Sequence, residues 1–247
     1  MSEPVLLDIA NGIATVTLNA PEVRNALTSE LRTKFRYIVG DLEFNDDVRC
    51  VIIKGAGDHF MAGGDIRVMQ DRLKMPLFAI RRMGKPVIAS IQGAVAGAGM
   101  GLVGCCDLAI AADDAIFTLA YCHIGASPDG GSSYFLGRTL GMKQQMELAF
   151  LGDRFGPDKA KELGIVNWVV PRADLVAETG KLARRLADGP THAFANAKRL
   201  FNATNHLTME SQMQMEGELI ADSMCTEDHA EGVAAFMGKR KPVFKGR

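Results

Sequence analysis

One stretch constrains this chain more than any other: Gly93 to Asp107, "GAVAGAGMGLVGCCD". It follows the apolar run "PVIASIQ", which reads as a buried strand, and its glycine-rich turn leads into a helix. The spacing Gly99-x-Gly101-x-x-Gly104 also imitates a dinucleotide-binding fingerprint. That fingerprint needs its first glycine directly after the strand and an acid about 20 residues beyond the motif. Here Gly93, Ala94, Val95 and Ala96 intervene, and "LAYCHIG" stands where the acid belongs. The nucleotide reading fails on context. Two readings remain: close packing of a small-residue helix, or a helix N-terminus opened toward an anionic group.

A second small-residue loop bears on that choice. "FMAGGD", Phe60 to Asp65, also follows a strand, "CVIIK". Two such loops can bring two backbone N–H groups to one oxygen, because glycine and alanine leave the approach clear. Such a pair of donors forms an oxyanion hole, which stabilises an anionic transition state by several kcal/mol.

The surroundings are those of an α/β protein. Asn11-Gly12 between two alternating runs predicts a type I′ hairpin. Thr28 or Ser29 caps a helix with Leu31, Phe35, Ile38 and Leu42 on one face. "DLAIAA" and "AIFTL" continue the strand pattern, and ββα units follow one another to about residue 190. Beyond Pro190 only helical periodicity remains, giving a core over 1–190 and a helical appendage over 191–247. Met209, Met213 and Met215 read there as adaptable core or interface packing.

Lys plus Arg number 28 against 29 Asp plus Glu, which argues against a nucleic-acid partner. Five cysteines without a pairing pattern suit free, buried thiols in a reducing, cytoplasmic setting. No metal-ligand spacing, signal peptide or membrane-length apolar run is visible, so neither a metal nor a membrane is expected.

Together "RNAL" (24–27), "FMAGGDI" (60–66), "KPVIASIQGAVAGAGMGL" (85–102), "CDLAIA" (106–111), "FLGDRFGPDKAKELGIVNWVV" (150–170) and "AFMGKRKPVFK" (235–245) resemble the enoyl-CoA hydratase/isomerase, or crotonase, family. The resemblance spans nearly the whole chain. It implies a crotonase-like ββα spiral core with a helical C-terminal appendage, a homotrimer or dimer of trimers, and an acyl-CoA thioester as substrate. Coenzyme A then arrives with the substrate, and no separate cofactor is implied. By motif, Gly64 and Ala98 supply the oxyanion-hole amides. Arg24, Ala26, Ala62, Asp65, Ile66 and Arg67 lie around the CoA moiety, Tyr121 borders the acyl group, and Phe236 and Lys239 close the pocket, Lys239 over a neighbouring subunit's ligand.

The chain departs from the hydratase pattern at two places. Where hydratases of the family carry two water-activating glutamates, Gly101 and Tyr121 stand. Asp129, in "SPDGGSSYF", is a turn or cap aspartate by local chemistry. The resemblance instead places it where several isomerases of the family keep their proton-shuttling aspartate. With Ala126, Phe135 and Tyr121 lining it, partial desolvation would raise its basicity. The resulting expectation is an enoyl-CoA isomerase. Two alternatives are dehalogenase-like aryl-CoA hydrolysis with Asp129 as nucleophile, and a catalytically silent CoA-binding protein. The dehalogenase's supporting tryptophan and histidine fall at Tyr121 and Phe78, and neither is present.

Overall fold

The computed structural model describes residues 3–64 and 76–247. Strands β1 (Val5–Ala10) and β2 (Ile13–Leu18) form the expected hairpin. Asn11 and Gly12 turn it with φ of 52° and 75°, the left-handed pair that a type I′ turn requires. Helix α1 (Ser29–Phe44) is capped by Thr28, whose hydroxyl accepts from the Leu31 N–H at 3.2 Å. Its Leu31, Phe35, Ile38 and Leu42 are buried as the spacing predicts, joined by Val39.

Then follow β3 (Cys50–Gly55), α2 (Leu77–Arg82), β4 (Val87–Ile91), β5 (Ala94–Ala96), α3 (Ala98–Cys105), β6 (Leu108–Ala112), β7 (Ile116–Thr118) and α4 (Ser132–Leu136). Beyond them lie α5 (Met142–Leu151), α6 (Pro157–Glu162), β8 (Trp168–Val170) and α7 (Leu175–Ala187). One sheet runs β1-β2-β3-β4-β6-β8, parallel except for the hairpin. A second pairs β5 with β7 and is extended by single bridges at Met61–Val95 and Phe117–Phe155. The chain therefore gives one strand to each sheet and then a helix, as in β4–β5–α3, which is the ββα spiral. Strand β4 is buried along its full length, as a central parallel strand covered on both faces should be.

Asn25 locks the first loop into this frame. It is fully buried, its Oδ1 accepts from the Ala20 N–H at 2.9 Å, and its Nδ2 donates to the Ala56 and His59 carbonyls at 2.9 and 2.7 Å. Replacing it with alanine leaves three backbone groups without these partners. Asn25→Ala should cost about 3 kcal/mol, since each buried polar group left unpaired costs roughly 1–3 kcal/mol and water recovers part of the loss. A urea titration reads this as a lower midpoint with an unchanged slope.

Helices α8 (Thr191–Ala203), α9 (Met209–Met224) and α10 (Glu227–Met237) make up the C-terminal region. Lys198 of α8 reaches back to the core, donating to Asp107 Oδ2 at 2.7 Å and to the Ile80 carbonyl at 2.8 Å. One expectation is narrowed here and one corrected. Met209 and Met213 are 70% and 62% exposed and Met215 is half-buried, which leaves the interface reading of these methionines and removes the core one. Only Cys50, Cys105 and Cys106 are buried thiols; Cys122 is half-buried and Cys225 exposed. Burial pushes the Cys50 and Cys105 thiols up to about 12, which keeps them protonated and inert. Among the described residues, no helix is long and apolar enough to cross a membrane.

Candidate functional site

The two glycine-rich loops run side by side. The Met61 N–H donates to the Ala94 carbonyl at 3.1 Å, and the Ala96 N–H donates to the Met61 carbonyl at 3.0 Å. Met61 thus pairs with Val95, which sets the loop that carries Gly64 beside the chain that leads into Ala98. Ala98 opens α3, with Gly97 as its N-cap, so its N–H lies ahead of any intrahelical acceptor. No acceptor among the described residues meets the Gly64 or Ala98 N–H. On the other flank, the Ala62 N–H donates to the Arg24 carbonyl at 3.0 Å and the Leu27 N–H to the Gly63 carbonyl at 2.9 Å. Those bonds bring Arg24, Ala26, Ala62 and Gly64 into one strip of chain.

Helix α3 serves the close packing that its small residues allow. Seven of its eight residues are buried. A Cβ at Gly101 would lie 1.9 Å from the Gly130 carbonyl oxygen, and one at Gly104 would lie 2.7 Å from Phe135 Cβ. The turn Pro128–Gly131 and helix α4 therefore rest directly on α3, and glycine is what lets them approach. The same contact accounts for the missing glutamate at residue 101: the space a side chain would need holds the backbone that carries Asp129. A Cβ at Gly130 would in turn fall 2.8 Å from Ala98 Cβ, so this turn also abuts the start of the helix.

The environment of Asp129 differs from the expected one. The residue is exposed, not enclosed by Ala126 and Phe135. Its carboxylate is tethered instead: the Tyr121 hydroxyl donates to Oδ1 at 2.7 Å and lies 3.2 Å from the Asp129 carbonyl. Tyr121 is buried, and its Cζ is 3.5 Å from where a Cβ on Gly97 would stand. The tether thus holds Oδ1 to a phenol that lies against Gly97. Burial first, and then the bonded Asp129 carboxylate, push the Tyr121 phenol well above its ordinary value of 10. The turn is closed by Ser132, whose N–H and hydroxyl both donate to the Asp129 carbonyl, at 3.0 and 2.8 Å.

Of the residues singled out from sequence, Arg24, Ala26, Ala62 and Gly64 meet on one loop pair, and Ala98, Tyr121 and Asp129 at the adjoining helix start. Asp65, Ile66 and Arg67 lie outside the described residues. Phe236 lies in the last turn of α10 and Lys239 just beyond that helix. Phe236 is 83% exposed and lines a groove of about 900 Å³ with Leu200, Met213, Ile220 and Val233, between α8, α9 and α10. The Lys239 N–H caps α10 through the Phe236 carbonyl at 3.2 Å. Phe78, at a dehalogenase support position, is 72% exposed. Sequence reasoning missed Asn25 and Ser132 as the residues that hold the two loops. Their polar side chains sit inside quoted segments, but only three-dimensional contact reveals what they hold.

The family model for enoyl-CoA hydratase/isomerase matches residues 8–247. The chain is 32% identical over 263 aligned residues to 1,2-epoxyphenylacetyl-CoA isomerase of Escherichia coli K12, covering 100% of each. It is 33% identical to a probable enoyl-CoA hydratase of Rhodobacter capsulatus, covering 97% of each. A solved enoyl-CoA hydratase from Polaromonas superposes with a TM-score of 0.90 at 33% identity, covering 98% of this chain and 99% of that one.

Proposed function

The chain belongs to the enoyl-CoA hydratase/isomerase family, and from that premise we propose that this acyl-CoA enzyme moves a carbon–carbon double bond in an enoyl-CoA thioester. One observation carries the reading: the backbone of Gly130 fills the place of an acid at residue 101 and abuts Ala98, so the turn that carries the Asp129 carboxylate lies against the start of α3. Residue 121 supplies a phenol where the second acid would be. A site with one carboxylate cannot position a water between two acids, but it can take a proton and return it.

In this reading the Gly64 and Ala98 amides hold the thioester oxygen. A C–H bond beside the thioester breaks as an O–H bond forms on Asp129, and the electron pair passes to that oxygen as an enolate. The Asp129 O–H then breaks, a C–H bond forms two carbons further along, and the pair returns to restore the carbonyl. The amides act most strongly on the enolate, where the charge develops. Arg24, Ala26, Ala62, Asp65, Ile66 and Arg67 serve the CoA moiety. Phe236 and Lys239 belong, in a homotrimer or dimer of trimers, to a neighbour's ligand. The name of the Escherichia coli relative supports isomerase chemistry, whereas that of the Rhodobacter relative points to hydration; the residues at positions 101 and 121 favour the former.

The direct test compares substrates. Hydration of crotonyl-CoA should run at least ~10²-fold slower than isomerisation of a 3-enoyl-CoA, because general acid–base assistance to water is missing. Equal turnover on the two would overturn the assignment. The pH dependence follows from Tyr121. With its ionisation pushed above 10, the phenol stays protonated and bonded to Asp129 through pH 10. Isomerase kcat/KM should therefore show no alkaline fall between pH 8 and 10, measured with constant-ionic-strength buffers.

A further inference from the structure

Tyr121 contributes more than a wall to this site. Its single O–H proton cannot serve both oxygens within reach, and the shorter contact, 2.7 Å against 3.2 Å, goes to the charged acceptor Oδ1. The phenol is itself held at three points. Ala120 before it adopts a left-handed φ of 55°, the Ala126 N–H donates to the Tyr121 carbonyl at 3.0 Å, and the ring lies against Gly97. An exposed aspartate on a turn would ordinarily rotate freely about χ2 and exchange its proton with water. Here one oxygen is bound to a buried, fixed donor and the other is left without a partner among the described residues.

We propose that Tyr121 is a positioning residue that assigns the two oxygens of Asp129 different tasks: Oδ1 is anchored, and Oδ2 alone carries the migrating proton from one carbon to the other. This rests on the isomerase reading above. It adds that the proton is retained during transfer, because an acyl chain lying over Oδ2 shields it from water and the anchored carboxyl group cannot swing out to exchange it. Among the described residues, the other charged groups on the elements around the turn are committed elsewhere. Arg81 of α2 lies over the Phe135 ring and pairs with Asp107, Arg138 bonds the Tyr134 hydroxyl, and His123 bonds the Gly152 carbonyl. Helix α3 contributes only the buried Cys105 thiol.

The test follows a 3-enoyl-CoA in D2O, counting deuterium entering the product per turnover for the wild type, Tyr121→Phe and Asp129→Asn. Phenylalanine keeps the ring and removes only the anchor. Tyr121→Phe should turn over roughly tenfold more slowly, the loss expected for one charge-assisted hydrogen bond. Its deuterium content per turnover should rise several-fold, and this partition does not depend on how much enzyme is folded or how fast it works. An unchanged partition in Tyr121→Phe, alongside a dead Asp129→Asn, overturns the anchoring role and leaves the isomerase reading standing. Full turnover in Asp129→Asn overturns the isomerase reading itself.

Discussion

Asp129→Asn should fold normally, bind CoA thioesters with unchanged affinity and lose at least about 10²-fold in turnover on a 3-enoyl-CoA. The amide matches the carboxylate in shape and can still accept the Tyr121 hydrogen bond through its oxygen. The turn itself is held by backbone and Ser132 contacts to the Asp129 carbonyl, which the substitution does not touch. What disappears is the capacity to accept a proton. A residue that only closed a turn would show the opposite result, near-normal turnover in a well-folded variant. Calorimetry with a CoA thioester alongside steady-state kinetics separates binding from chemistry. A covalent acyl-aspartate trapped on the wild-type enzyme, seen as added mass, would instead indicate dehalogenase-type chemistry.

The second large effect is expected at Gly101. Adding one methyl group places carbon 1.9 Å from the Gly130 carbonyl oxygen and 2.9 Å from the Ser132 nitrogen, both backbone atoms. Neither can rotate away, so the turn has to lift off α3. Gly101→Ala should cost about 1–3 kcal/mol through overpacking and, by moving Asp129 about an ångström from Ala98, about 10²-fold in turnover. Gly101→Glu should not create a hydratase, because the added carboxylate has no room and residue 121 remains a phenol. Gly40→Ala in α1 is the matched control. Nothing lies within 4 Å of its added Cβ, so it should be neutral or stabilising by up to about 1 kcal/mol. Thermal unfolding and turnover of the two variants, measured together, distinguish steric displacement from a general effect of removing helix glycine. Equal behaviour of Gly101→Ala and Gly40→Ala would refute the packing argument.

The elements built from local rules were legible before any coordinates. The Asn11-Gly12 hairpin, the Thr28 cap and the buried face of α1 each depend on residues within a few positions of one another. The two small-residue loops were legible as well, since only glycine and alanine tolerate such close backbone approach. The expected surroundings of Asp129 were not met. Composition of the nearby segment suggested an apolar enclosure, yet the residue is exposed and its one close partner is a phenol eight positions earlier. Phe236 and Lys239 illustrate the same limit. They sit in a familiar segment of sequence, but that segment packs on α8 and α9 in the single chain.

Sequence by itself determined the alternation of ββα units, the two small-residue loops, and the lack of acids at residues 101 and 121. All three follow from side-chain size, chemical type and periodicity, which need no knowledge of distant neighbours. Tertiary structure alone decided that the two small-residue loops run side by side, because that depends on how Met61 pairs with Val95, 34 positions apart in sequence. It alone decided that the Gly130 backbone occupies the space of the absent residue-101 side chain, and that Tyr121 anchors one oxygen of Asp129. A glycine in sequence records only that a side chain is missing; which atoms take its place is settled when the elements pack.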